Sequence, residues 1–177
     1  MSLPNKTRKS ASKRDLDRID YAILAELQNN ARLSNKELAS RAGLAPSSCL
    51  ERVRRLGDSG ALRGFHAEVD PAVLGIGLQA LLAVRFVHHG REQFTTFKDH
   101  VWSLPETVAT FQVAGVEDFL VHVAVRDANH LRDLVLDQFA ARPETSHIET
   151  SLIFEARRAS LPRYAGADDT SRSPRPE

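Results

Sequence analysis

The spacing of apolar residues predicts three helices before position 60. In residues 16–29 the apolar side chains recur at helical spacing, at Ile19, Ile23, Leu24 and Leu27. Ser34 and Glu37 fit a capping box at the start of a second helix, which runs to about residue 42 and stops at Gly43. A third helix runs from Pro46, a residue tolerated in the first helical turn, to about residue 59. This succession of short helices favours a helix-turn-helix.

Beyond Gly60 the apolar period shifts towards two, which is typical of strands. Residues 62–69 read as a strand-like linker that Asp70-Pro71 interrupts. The pattern then predicts a strand, a helix, a hairpin of two strands, a second helix and a last strand, at residues 78–87, 92–104, 107–113 with 119–126, 131–141 and 147–155. The order βαββαβ is that of a ferredoxin-like domain.

The predicted fold class is therefore α+β, with an N-terminal helix-turn-helix (winged-helix-like) domain and a C-terminal ferredoxin-like domain. The predicted boundaries are a disordered basic arm at 1–14, a helix-turn-helix at 15–61, a linker strand and turn at 62–75, a second domain at 76–156 and a flexible tail at 157–177.

Charge separates the two halves of the chain. The 177 residues carry a formal net charge of +1, but residues 1–66 hold 13 Lys and Arg against 7 Asp and Glu, whereas the remainder holds 11 against 16. A basic half suits a polyanion such as DNA, because neutralised phosphates release counterions. Cys49 is the only cysteine, and there is neither a secretory signal nor an apolar run of about 20 residues. The sequence predicts a cytoplasmic protein with no membrane partner.

The third predicted helix has two chemically different faces. On a helical wheel Cys49, Val53 and Leu56 share a narrow apolar arc. The opposite arc is polar and consists of Ser47, Ser48, Glu51, Arg54 and Arg55, with Arg52 on its flank. Serine and arginine can bind base edges or phosphates in a major groove, but the same arginines are also compatible with a solvated face that includes a Glu51–Arg55 ion pair.

The string Leu-Ala-Pro-Ser-Ser-Cys-Leu-Glu-Arg-Val-Arg-Arg-Leu at 44–56 closely resembles the Lrp/AsnC (leucine-responsive, or feast/famine) family of transcription regulators. The resemblance extends from Leu16 to about Glu155. It implies that the third helix is a recognition helix and that double-stranded DNA is a partner, with DNA-binding candidates Ser34, Lys36, Ser47, Ser48, Glu51, Arg52, Arg54 and Arg55. The family usually has Ser or Thr where this chain has Ala45, so an N-cap hydrogen bond worth about 1 kcal/mol is lost.

The segment Gly-Val-Glu-Asp-Phe at 115–119 matches a G-x-x-D-aromatic signature of the same family. From the residues alone, it is either a hairpin turn whose Asp caps its own backbone or a turn that presents amides and carboxylates to a ligand. The resemblance implies an amino-acid effector bound between subunits, with candidate residues Ala114, Gly115, Glu117, Asp118, Phe119 and Thr150. A carboxylate would receive the ligand ammonium, and turn amides and the Thr150 hydroxyl its carboxylate. Phe119 replaces the commoner tyrosine.

The resemblance further implies a homodimer and a larger assembly such as an octamer, acting on genes of amino-acid metabolism or transport. We predict no cofactor beyond the effector, no catalytic residues and no metal site, since His88, His89, His100 and His122 show no recognised ligand spacing. Two alternatives stay open: a DNA-organising protein of low specificity with the same fold, and an enzyme resembling the haem-precursor decarboxylases of related sequence.

Overall fold

The computed structural model describes residues 16–157 and 159–164. The chain divides into two compact units, one formed by Met1–Ala67 with Arg158–Glu177 and the other by Glu68–Arg157. The division falls inside the predicted linker at 62–75. The predicted arm at 1–14 lies outside the described residues.

The first unit contains three helices, α1 (Arg18–Asn29), α2 (Asn35–Ala42) and α3 (Pro46–Asp58). Capping boxes begin α1, where Asp17 and Asp20 bond reciprocally, and α2, where Ser34 and Glu37 do the same as predicted. Gly43 ends α2 with a φ of 68°. The helices enclose a core of Ile23, Leu27, Leu38, Ala39, Cys49 and Leu56. The predicted helix-turn-helix is confirmed.

Helix α3 lacks a side-chain cap. Its N-cap residue Ala45 has extended backbone angles (φ −68°, ψ 144°) and makes no side-chain cap hydrogen bond. We expect Ala45→Ser to stabilise the first unit by about 1 kcal/mol, which raises its Tm by about 4–8 °C. Calorimetry measures this shift, with the exposed Ala31→Ser as the control. Equal Tm values for the two variants would contradict a missing cap.

Cys49 belongs to the packed face of α3, as its position on the helical wheel predicts. The side chain is fully buried, and desolvation raises the pKa of its thiol. Because the thiolate is the reactive form, we expect the native protein at pH 8 to resist a thiol reagent that labels the same protein in guanidinium chloride. Rapid, complete labelling of the native protein would contradict this burial.

The second unit is a four-stranded antiparallel sheet with two helices. Its elements are β1 (Leu78–Phe86), α4 (Arg91–Ser103), β2 (Thr107–Gln112), β3 (Phe119–Val125), α5 (Ala128–Leu134) with a π-helical continuation (Val135–Ala140), and β4 (Thr145–Leu152). The strands lie in the order β2-β3-β1-β4. This is the predicted βαββαβ arrangement.

The two central strands alternate between a buried and an open face. Alternate residues of β1 and β3 form the core with α4 and α5, among them Leu82, Val84, Phe119 and Val121. The intervening residues, including Leu81, Ala83 and Leu120, are only half-buried and face the other side of the sheet. The sheet therefore has one packed face and one open face.

Three predicted elements differ from the structure. Residues 62–69 are not a strand, because a strand needs a hydrogen-bonded neighbour and none is paired with this segment among the described residues. A 3-10 helix at Pro71–Leu74 follows it. The helix predicted at 131–141 begins earlier, since Asp127 accepts a hydrogen bond from the His130 amide and caps it. Within the tail predicted at 157–177, Ser160, Leu161 and Arg163 contact α1, which the sequence did not indicate, whereas residues 158 and 165–177 lie outside the described residues.

Candidate DNA-contact and effector surfaces

The outer face of α3 presents polar groups opposite its buried residues. Ser47, Ser48, Glu51 and Arg54 are all exposed. Asn35 Nδ2 donates to the Pro46 carbonyl at 2.8 Å and so ties the start of α2 to the start of α3. Among the residues that the structure describes, no ion pair engages Arg54. The geometry therefore brings hydroxyls, a carboxylate and an unengaged guanidinium together on one helix face.

Two arginines of α3 are tied to α1 instead. Asp20 is 2% exposed and accepts from Arg52 Nη1 at 2.8 Å and from Arg55 Nη2 at 2.7 Å. Arg52 Nη1 also lies 2.6 Å from Asp17 Oδ2. The Asp20 amide, followed by the Arg52 guanidinium, lowers the pKa of Asp17, while Asp17 and then Asp20 raise the pKa of Arg52. The network joins the first turn of α1 to α3.

This network changes the predicted roles of several DNA-binding candidates. Arg52 is 23% exposed, and its pairing with two carboxylates holds α3 in place rather than presenting a free fork to DNA. Arg55 is 55% exposed and pairs with Asp20, not Glu51, through one of its nitrogens. Ser34 donates to Glu37 Oε2 at 2.6 Å while it caps α2, so its hydroxyl is engaged, whereas Lys36 is exposed.

Asp20 was not among the candidates. The signal for it was present in the sequence, because Asp20, Ile23 and Leu27 form one helical stripe and all three are buried. An acidic residue in the apolar stripe of an amphipathic helix requires partners. Arg52 and Arg55 are those partners.

The effector signature occupies the loop between β2 and β3. Ala114, Gly115 and Val116 are exposed. Arg85 fastens this loop to β1, with Nε donating to the Val116 carbonyl at 3.1 Å and Nη2 donating to Glu117 Oε1 at 2.9 Å. The other Glu117 oxygen, Oε2, is buried and accepts no hydrogen bond from the described part of the chain. Glu117 thus has a spare acceptor and follows the exposed residues 114–116 in the chain.

Asp118 and Phe119 serve the fold of the second unit. Asp118 is 8% exposed; its Oδ2 accepts from the Phe86 amide at 2.8 Å, and its Oδ1 lies 3.1 Å from His89 Nε2. Phe119 is 1% exposed and packs in the core, where its ring centroid lies 4.9 Å from that of Phe97. These placements do not support a direct effector contact by Phe119, and they leave the Asp118 carboxylate engaged by the backbone.

Thr150 is exposed on β4, where it pairs with Leu82 of β1. The signature loop adjoins β3, whose Phe119 pairs with Val84 on the opposite edge of β1. Strand β1 therefore separates Thr150 from the loop within one chain. The structure brings Ala114, Gly115 and Glu117 together, and it does not bring Thr150 to them.

The histidines singled out in the sequence have separate surroundings. His100 Nε2 lies 3.0 Å from the Gln138 carbonyl, and His122 Nε2 lies 2.9 Å from Gln79 Oε1. Within residues 16–157 and 159–164, no three His, Cys, Asp or Glu side chains are placed to share a metal ion. None of the helices in the same ranges is long and apolar enough to span a membrane.

Family models match both units. An AsnC-type helix-turn-helix domain matches residues 16–56, which contain α1, α2 and all but the last two residues of α3. An Lrp/AsnC ligand binding domain matches residues 79–160. The first match contains the α3 face and the second contains the signature loop.

Individual relatives agree with these matches. The transcriptional regulator AldR of Mycolicibacterium smegmatis is 41% identical over 154 residues, covering 87% of this chain and 90% of AldR. The leucine-responsive regulatory protein of Escherichia coli is 35% identical over 142 residues, covering 80% and 87%. A Neisseria meningitidis transcriptional regulator, solved as its L-Met complex, aligns with a TM-score of 0.75 at 32% identity, covering 83% and 96%. These relatives are regulators and not enzymes, and the chain belongs to the Lrp/AsnC family of transcriptional regulators.

Proposed function

We propose that this regulator binds specific operators through the outer face of α3, and that an amino acid bound at the second unit changes that affinity. The observation that carries the proposal is the exposed set Ser47, Ser48, Glu51 and Arg54 on one face of α3. Hydroxyl and guanidinium groups at the start and middle of a helix suit base edges and phosphates in a major groove. The targets we propose are genes of amino-acid metabolism or transport. We propose that the protein acts in the cytoplasm.

Support for an amino-acid effector comes from the chemistry of the signature loop. The buried, unpartnered Oε2 of Glu117 can accept a hydrogen bond from an ammonium group. The exposed backbone at 114–116 can donate to a carboxylate. An α-amino acid carries both groups, and one solved relative was obtained with L-Met.

Self-association is supported by the open face of the sheet in the second unit. Leu81, Ala83 and Leu120 are half-buried there, and Phe111 of β2, paired with Leu120, is 53% exposed. Apolar side chains that stay partly exposed on one face of a sheet are typical of an interaction site. We propose that a second copy covers it and that dimers build a larger assembly.

The test is binding to DNA upstream of the protein's own and neighbouring genes, at fixed salt, with and without each common amino acid. We expect one amino acid to shift the operator Kd by at least about fivefold. We also expect the protein to bind its operator about a thousandfold or more tighter than non-specific DNA. Glu117→Gln should abolish the shift and leave unliganded binding intact, whereas Glu92→Gln, on the surface of α4, should change neither.

Two outcomes would contradict the proposal. Weak binding that is indifferent to both sequence and amino acids would indicate a DNA-organising protein of low specificity. A full response in Glu117→Gln would instead move the effector site away from the signature loop.

A further inference from the structure

Residues 159–164 lie along α1, within the first unit. The Leu161 amide donates to Gln28 Oε1 at 2.8 Å, and Ser160 Oγ donates to Asn29 Oδ1 at 3.3 Å. The Arg163 guanidinium carbon lies 3.9 Å from the centroid of the Tyr21 ring. Two hydrogen bonds and a cation–π contact therefore hold the same short segment.

The surface that receives this segment is a stripe on α1. Tyr21, Ala25 and Gln28 recur at the i, i+4, i+7 spacing of one helix face. They line a groove together with Leu161 and other residues of the segment, including Pro162 and Tyr164. Ile23 and Leu27, on another face of α1, belong to the core, so the stripe is free to bind a peptide without disturbing it.

We propose that residues 160–164 act as a strap that docks on the Tyr21–Ala25–Gln28 stripe and couples the effector unit to the DNA-binding unit. The basis is chain continuity. Strand β4 ends at Leu152, and only residues 153–159 separate it from the docked segment. The units are thus joined by two chain segments, one before β1 and one after β4. A displacement at the end of β4 reaches α1 through the second of these.

The strap acts on the helix that positions the recognition helix. Asp20, in the first turn of α1, holds Arg52 and Arg55 of α3. A small shift of α1 therefore moves Asp20, which binds the side chains of Arg52 and Arg55. The contacts of the strap include an amide hydrogen bond, a hydroxyl hydrogen bond and a cation–π contact, each of which is individually weak at a surface. Such a segment can bind and release, which a coupling device requires.

Docking is tested by hydrogen exchange on the full chain. In Leu161→Asp/Arg163→Ala and separately in Gln28→Ala, we expect amides in the second half of α1 to exchange roughly three- to tenfold faster. Arg157→Ala, which removes only an exposed pair with Glu155, is the control and should leave α1 unchanged. Unchanged protection in both test variants, or protection that depends on protein concentration, would overturn docking by the chain's own segment.

Coupling, which rests on the proposed function, is tested by operator binding of the same variants. We expect Leu161→Asp/Arg163→Ala to keep unliganded affinity within about twofold and to lose most of the amino-acid-induced shift. An intact shift, with docking lost by hydrogen exchange, would overturn the coupling role. A wild-type chain with no amino-acid response would overturn the proposed function and coupling together, while hydrogen exchange still decides the docking.

Discussion

Arg54→Ala lowers operator affinity by about tenfold to a hundredfold and leaves the stability of the first unit unchanged. Arg54 is exposed in the middle of the polar face of α3, and the structure records no ion pair for it within the described residues. Its loss therefore removes contacts to DNA without removing contacts inside the protein. Fluorescence anisotropy with operator DNA at fixed salt and a thermal melt measure the two quantities.

The matched control is Arg41→Ala. Arg41 is also exposed, but it lies on α2 and pairs with Glu26 at 2.8 Å. Arg55→Ala is a poorer choice, because it also breaks the contact with Asp20. Equal operator affinities for the Arg54 and Arg41 variants would contradict the assignment of the α3 face.

The salt dependence of the Arg54 variant separates two kinds of contact. If Arg54 binds a phosphate, the slope of log K against log salt falls by about one and all DNA sequences lose affinity alike. If it binds a base edge, the ratio of specific to non-specific affinity falls instead.

Local rules predicted the helices of the first unit correctly. The Ser34–Glu37 capping box, the left-handed Gly43 and the uncapped Ala45 all depend on neighbouring residues, and the structure shows each of them. The apolar stripe of α3 was equally readable, since Cys49 and Leu56 are both buried. Information within one helical turn was sufficient for these features.

Side-chain roles that depend on tertiary pairing were not readable. The sequence places Asp118 and Phe119 in one signature. In the structure the alternation of side chains along β3 directs Phe119 into the core, and the Asp118 carboxylate accepts a hydrogen bond from the Phe86 amide of β1. Arg52 looks like any other basic residue of a helix until Asp17 and Asp20 are brought beside it. The pairing of strands and helices decides which polar groups remain available.

The C-terminal segment shows the same limit. Residues 157–177 are rich in polar residues and proline and have no apolar period, so the sequence indicates a tail. The docking of residues 160–164 uses groups such as the Leu161 backbone amide, the Ser160 hydroxyl and the Arg163 guanidinium, and these create no periodic pattern. Only the placement of α1 reveals the surface that receives it.

Asp20→Ala should reduce the free energy of unfolding of the first unit by about 2–3 kcal/mol. The 2% exposed carboxylate accepts from Arg52 and Arg55 and also completes the capping box with Asp17. Water can solvate the freed Arg55, which is 55% exposed, so the loss is smaller than for a fully buried pair. Urea denaturation measures it, with Asp58→Ala, at the exposed end of α3, as control.

A double-mutant cycle shows whether the lower free energy of unfolding comes from the contact between Asp20 of α1 and Arg52 of α3. Asp20→Ala and Arg52→Gln remove opposite ends of one contact, so their joint effect should fall short of the sum of the single effects by about 1 kcal/mol. Additive losses would mean that the Asp20–Arg52 contact contributes nothing, and that Asp20 stabilises the unit through Arg55 and the capping box of α1. If Asp20 holds α3 in position, its loss should also weaken operator binding, because α3 carries Arg54. This is measured under conditions where the Asp20 variant is still folded. Intact binding would show that α3 keeps its position without this carboxylate.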